Sequence, residues 1–96
     1  MAIKSFASRA IELFFAEGAI PKRAGWAGVA KVAIRKLDML DYAEQLSDLR
    51  SPPGNRLETL KGDLAGFHSI RINDQWRVVF RWTDSGPIDV DIRDYH

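Results

Sequence analysis

The sequence predicts an α+β domain in which two N-terminal helices pack on one face of a small twisted, mainly antiparallel β-sheet. Three observations carry that reading. Apolar residues recur at helical spacing through the first half of the chain. They alternate with polar residues through most of the second half. The change falls once, at Ser51-Pro52-Pro53-Gly54, which neither a helix interior nor a central strand accepts. Helices first and a meander second is the order of an α+β fold, with the helices on one side of the sheet. The chain has 96 residues and neither repeats nor low-complexity segments. One domain over 1–96 is therefore expected, with a radius of gyration of about 12–13 Å.

Each element has a local reason. Ile3–Phe6 is short and β-prone, which suits an edge strand. Ser5 or Ser8 would cap the helix that follows; Ile11, Phe14 and Phe15 sit at helical spacing, and Gly18 supplies a stop. Gly18 to Gly25, with Pro21, Lys22 and Arg23, reads as a loop. From Trp26 to about Tyr42 the residues Trp26, Val29, Ala30, Ala33, Ile34, Leu37 and Leu40 form one buried stripe. Lys31, Arg35, Lys36 and Asp38 fall largely off it. Ala43–Leu49 would add a turn, and Pro52-Pro53-Gly54 is expected to end all helical structure. Four strands follow: Arg56–Lys61, Phe67–Ile72, Trp76–Trp82 and Ile88–Tyr95. Their connections are a Gly62–Gly66 loop, a tight Asn73-Asp74-Gln75 turn and a Thr83–Pro87 turn.

Composition narrows the chemistry. With no cysteine, there is no disulfide, zinc-thiolate site or thiol catalysis. With only His68 and His96 as imidazoles, a zinc site would have to lean on carboxylates, so no metal and no cofactor is expected. No apolar run approaches the ~20 residues of a membrane span, and the N-terminus lacks a signal-peptide layout. A cytoplasmic protein with no membrane role is the expectation. The net charge of +1 makes any nucleic-acid footprint local. Residues 56–81 hold only a small surplus of positive charge, so geometry decides more than sum.

That geometry follows from the pleat, which sends successive side chains to opposite faces. Trp76, Val78, Phe80 and Trp82 share the core face, and Arg77, Val79 and Arg81 the other. His68, Ile70 and Ile72 fall on the core side, so His68 reads as a satisfied, partly buried histidine. Trp26, Trp76 and Trp82 read as packing residues, and Glu12, Glu17 and Glu44 as solvated helix faces. If Ile72 pairs with Trp76, Arg71 faces Arg77. If Trp82 pairs with Ile88, Arg77 faces Arg93 and Arg81 faces Asp89, with Ile88, Val90 and Ile92 turned to the core. Three arginines then lie in a row across an uncovered sheet face. Opposed like charges are unfavourable, so the row either holds an anion, for which the guanidinium fork matches phosphate, or is neutralised by Asp89, Asp91 and Asp94. The last strand runs into Asp94-Tyr95-His96, with Tyr95 on the parity of Arg77 and Arg93. An imidazole beside an arginine-lined face is what cleavage of RNA by its own 2′-hydroxyl requires, since that reaction needs a base, an acid and positive donors for the phosphate. A frayed, inert terminus is the competing reading of His96.

Three blocks resemble a known family: Arg56-Leu57-Glu58-Thr59-Leu60-Lys61-Gly62-Asp63, then Gly66-Phe67-His68-Ser69-Ile70-Arg71-Ile72-Asn73-Asp74-Gln75-Trp76-Arg77, and the terminal Asp94-Tyr95-His96. With Ile3-Lys4-Ser5-Phe6, they are similar to the HigB toxins of bacterial toxin–antitoxin pairs, in the RelE/ParE superfamily, over essentially the whole chain. The resemblance implies a ribosome-dependent endoribonuclease cutting messenger RNA in the ribosomal A site. It also implies a helix-turn-helix antitoxin partner, through which the pair would reach operator DNA. By position it implies Lys61, Arg77, Asp94, Tyr95 and His96 as active-site residues. Lys61 and Arg77 would hold the scissile phosphate, His96 transfer a proton, Tyr95 contact the nucleotide and Asp94 orient the site. Arg71, Arg93 and Arg81 would add RNA contacts. Glu58 departs from the histidine that some members carry at its position. Lys61 points to the arginine face in a regular register, and a bulge near Gly62 would redirect it. A gyrase-directed toxin on the same fold and a non-catalytic RNA- or protein-binding domain are the alternative functions.

Overall fold

The computed structural model describes residues 2–94. Helix α1 spans Arg9–Glu17 and α2 spans Ala30–Tyr42; the strands are β1 (Glu58–Thr59), β2 (His68–Arg71), β3 (Trp76–Thr83) and β4 (Gly86–Asp94). The sheet is antiparallel in the order β1-β2-β3-β4. Its core face, with Ile70, Ile72, Val78, Phe80, Val90 and Ile92, packs under Ile11 and Phe14 of α1 and Ala33, Leu37 and Leu40 of α2. This is the expected α+β architecture, and the radius of gyration is 12.2 Å.

Helix ends follow the local chemistry. Ser8, not Ser5, caps α1: its Oγ accepts the Ile11 N–H at 3.3 Å, and Gly18 closes the helix in the left-handed region at φ 74°. A 3₁₀ turn, Ala27–Val29, leads from Trp26 into α2. A second, Leu46–Arg50, is held by Asp48 Oδ2, which accepts the N–H groups of Glu44 and Gln45 at 3.0 Å. The sequence expectation that Pro52-Pro53-Gly54 ends all helical structure is corrected: helical turns continue past the prolines. Short 3₁₀ turns follow at Pro53–Asn55, where proline fits the first position of a helical turn, and at Gly62–Leu64.

The register confirms one half of the strand reading and corrects the other. Arg71 opposes Arg77, and Arg77 opposes Arg93, so the three-arginine row exists. Nearer the β3–β4 turn the pairing slips by one, to Arg81 with Ile88 and Trp82 with Pro87. The slip is a β-bulge: Asp89 and Val90 share the space opposite Phe80, and Asp89 sits at φ 53°. Hence Pro87 pairs with Trp82, while Ile88 lies outside the core cluster instead of facing it. The connecting turn is only Asp84-Ser85, and β4 begins at Gly86. Gly86-Pro87 is punctuation absorbed into an edge position. Residues 3–6 run beside the bulge with a single parallel bridge, Phe6 to Val90, in place of a full strand. Lys4 and Ala7 donate to the carbonyls of Pro87 and Val90 at 2.8 Å, and the Val90 N–H reaches the Ser5 carbonyl at 3.2 Å. The predicted strand Arg56–Lys61 shrinks to the two residues of β1, because Arg56 adopts φ 45° before it and Gly62 φ 66° after it.

Candidate active site

The arginine-bearing face of the sheet is covered, not open as the alternation alone implied. Ser69, Arg77 and Val79 are 0%, 4% and 3% exposed. The β1–β2 connection lies across them: Leu60, Lys61 and Leu64 line a cleft of about 190 Å³ together with Ser69, Arg77, Val79, Arg93 and Asp94. The connection reads as a plain loop in the sequence, yet its 3₁₀ turn brings Leu64 onto the sheet. A face that alternation turns to solvent thereby becomes the wall of a pocket.

Arg77 is held from several sides. Its Nη1 donates to Ser69 Oγ at 2.5 Å and to the Arg56 carbonyl at 3.3 Å, and its Nη2 to Glu58 Oε1 at 3.3 Å. A guanidinium this buried would be costly unpaired. Glu58, half-exposed, supplies the counter-charge in place of the aspartates expected for that role. Ser69 and Glu58 oppose each other across β1 and β2, so one cross-strand pair fixes the arginine. The left-handed Arg56 aims its carbonyl at the same group. Ser69 and the Arg56 carbonyl are the site groups that sequence reasoning missed. For Ser69 the signal was available, since it is a small polar residue on the parity of Arg71.

The other predicted residues divide. Lys61 stands at the mouth of the cleft, just before Gly62. Arg93, exposed, and Asp94 line the opposite wall, and Asp94 Oδ2 accepts from Gln75 Nε2 at 3.1 Å. Arg71 does not line this cleft; it pairs with Asp74, whose carboxyl it holds below the usual carboxylate range. Arg81 is also elsewhere, 3.8 Å from Asp89 and 4.7 Å from the Phe67 ring centroid. Asp91 is pushed upward by burial, an effect its bond from the Ile92 N–H opposes. Tyr95 and His96 lie outside the described residues. His68 is half-buried as expected, its ring 5.9 Å from that of Phe80 and its Nδ1 3.1 Å from Thr59 Oγ1. Burial lowers its pKa. Among the described residues, no group of three or more His, Cys, Asp or Glu is placed to hold a metal, and no helix is long and apolar enough to cross a membrane.

The fold is RelE-like. Solved structures carry the same architecture: the YoeB/ParE toxin from Agrobacterium tumefaciens matches over 100% of both chains at TM-score 0.55 and 24% identity. The toxin–antitoxin complex YoeB-YefM from Staphylococcus aureus matches over 100% of this chain and 97% of that one at TM-score 0.56 and 21% identity. Residues 4–96 match the model of the HigB-like toxins, described as the RelE-like toxin of the type II toxin–antitoxin system HigB, and the chain belongs to that family. Toxin HigB-1 of Vibrio cholerae is 52% identical over 56 residues, 58% of this chain and 59% of that protein. A Haemophilus influenzae protein is 44% identical over 55 residues, 54% of its own length, so these two alignments cover little more than half of each relative. Endoribonuclease HigB of Proteus vulgaris is 29% identical over 98% of this chain and 99% of its own.

Proposed function

We propose that this toxin is a ribosome-dependent endoribonuclease, acting as one domain over residues 1–96. The observation that carries the proposal is Arg77: a buried guanidinium, pinned by Ser69 and Glu58, facing a cleft whose mouth holds Lys61 and Arg93. Donors fixed before charge develops stabilise a transition state without reorganisation. The full-length resemblance to a relative named as an endoribonuclease supports the same chemistry.

In this reading the 2′-hydroxyl of one nucleotide attacks the adjacent phosphorus. Its proton passes to a base, the P–O5′ bond breaks, and an acid protonates the departing 5′-oxygen, leaving a 2′,3′-cyclic phosphate. Arg77 and Lys61 hold the phosphate and the charge it gains. His96 is the leading proton-transfer group, with a reference pKa near ~6.5 that suits either role. Tyr95 contacts the nucleotide, Asp94 orients the site, and Arg93 adds a phosphate contact. Glu58, already on Arg77, is the second proton-transfer candidate. The partner is a helix-turn-helix antitoxin, through which the pair reaches operator DNA; the Staphylococcus aureus structure, a complex of a toxin with its antitoxin, supports an antitoxin partner.

Few phosphate contacts make binding to RNA alone weak and salt-sensitive, so the ribosome must supply positioning. Purified protein is therefore expected to cut naked transcripts poorly and ribosome-bound messenger efficiently, as read by mapping new 5′ ends. Rapid, site-selective cutting of naked RNA at physiological salt would refute ribosome dependence. Growth arrest with DNA-damage signalling and intact transcripts would instead place the chain among gyrase-directed toxins.

A further inference from the structure

A second cleft, of about 300 Å³, opens between α2, the Pro52–Gly54 turn and the end of β2. Arg35, Lys36 and Arg71 line it, over apolar Val32, Met39 and Ile72. Lys36 is aimed by the fold. Its Nζ donates to Asn55 Oδ1 at 2.6 Å, and Asn55, fully buried, donates in turn to the carbonyls of Leu49 (3.1 Å) and Ser51 (3.3 Å). Among the described residues no carboxylate pairs with Arg35 or Lys36. The one described acid paired with a cation of this cluster is Asp74, bound to Arg71 and 99% exposed. Burial lowers the Lys36 pKa, and the charges of Arg35 and Arg71 lower it further.

Three cations sharing one acid suit an anion with several acceptor oxygens, and phosphate matches their donors. Arg71 also ties the cleft to the active site, because it is the cross-strand partner of Arg77. Opposed Cα atoms in such pairs lie about 5 Å apart. A single strand passing the Lys61–Arg77 cleft therefore brings a neighbouring phosphate within reach of Arg71. We propose that the Arg35–Lys36–Arg71 cleft binds a second phosphate of the RNA strand whose scissile phosphate occupies the Arg77 cleft. This rests on the RNA-cleaving reading and assigns a role in binding to α2, an element that the chemistry does not otherwise use. The apolar floor would take the uncharged face of a sugar or base.

The test is fluorescence anisotropy at low salt with two 2′-O-methyl oligonucleotides, which lack the attacking hydroxyl. One is a hexamer; the other is a dinucleotide too short to reach both clefts. Arg35→Ala and Lys36→Gln should each weaken hexamer binding by about tenfold, the scale of one charged hydrogen bond. Together they should flatten the salt dependence of log K by about 0.7 for each phosphate that the cleft no longer neutralises. Dinucleotide binding should stay at the wild-type level. Arg35 is exposed, so Arg35→Ala keeps the test open if loss of the Lys36–Asn55 bond unsettles the fold, and Lys36→Arg should retain affinity. Unchanged hexamer binding in Arg35→Ala and in a folded Lys36→Gln overturns the second site and leaves the RNA reading standing. Wild-type protein that binds neither oligonucleotide at low salt overturns the second site alone, because the RNA-cleaving reading is decided on ribosome-bound messenger. A hexaglutamate peptide that binds more tightly than the hexamer, and no longer binds Arg35→Ala, overturns the RNA assignment in favour of an acidic protein segment.

Discussion

Arg77 shows how far a single position can be read from the pleat and where that reading stops. Parity put it off the core face, and there it lies; parity also left it in water, yet the β1–β2 connection buries it. Under the proposed function, truncating it should therefore cost both chemistry and stability. Arg77→Ala should lower ribosome-programmed cleavage by about 10²–10³-fold and lower stability by about 1–3 kcal/mol, since buried Ser69 and the Glu58 carboxylate lose their donor. Arg77→Lys should recover part of both, because an ammonium keeps the charge but lacks the planar fork. A melt of Arg77→Ala matching wild type would show that these hydrogen bonds contribute nothing to folding. His68 carries a second prediction. Burial depresses its folded pKa, so the native state binds this proton less readily than the unfolded chain. Its contribution is complete above the unfolded value near ~6.5 and declines as pH falls from there through the folded pKa. Denaturant melts of His68→Gln across acidic pH should be flatter than wild type, and parallel curves would contradict the assignment.

At the scale of elements, helix ends and the far register were legible because each rests on local chemistry. Ser8 and Gly18 bracket α1, and the short Asn73–Gln75 turn fixes Arg71 opposite Arg77; Asn73 Oδ1 accepts the N–H groups of Gln75 and Trp76 at 2.9 and 2.7 Å. The bulge was not legible. It depends on Asp89 adopting a left-handed backbone next to residues 4–7, more than eighty positions away in the chain, and the Asp89 N–H bonding Ser5 Oγ at 2.9 Å is an interaction no alternation pattern announces. Gly86-Pro87 misled for a related reason, since its turn-forming residues sit beside the true turn. The bulge itself can be probed. Asp89→Gly removes the left-handed cost of about 1–2 kcal/mol and loses a half-exposed ion pair with Arg81 that is worth at most about 1 kcal/mol. Asp89→Val keeps the cost and adds β-branching. Thermal melts should rank glycine at or above wild type and valine below both, and the reverse order would rule out strain at this residue.

For the molecule as a whole, the buried core and the proposed chemistry are separable along the chain. Val90 and Ile92 lie upstream of Tyr95, and among the described residues the core cluster lies wholly before Arg93. A chain stopped after Asp94 should lose about 1 kcal/mol of stability or less, because the described core lies upstream of the cut. Its cleavage should fall by at least ~10², the usual contribution of acid–base groups. His96→Gln should reproduce most of that loss. Wild-type cleavage by the shortened protein would remove both residues from the site. A frayed, inert terminus gives that outcome.

The strap formed by residues 4–7 along β4 has a meaning in the order of synthesis. These residues leave the ribosome before their hydrogen-bonding partners exist, because Pro87, Asp89 and Val90 are made some eighty residues later. Arg93 and Asp94, which complete the cleft wall, emerge later still. A growing chain thus holds Lys61 and Arg77 without the strand that closes the pocket around them. The cleft stays unassembled until β4 has been translated and docks against residues 4–7.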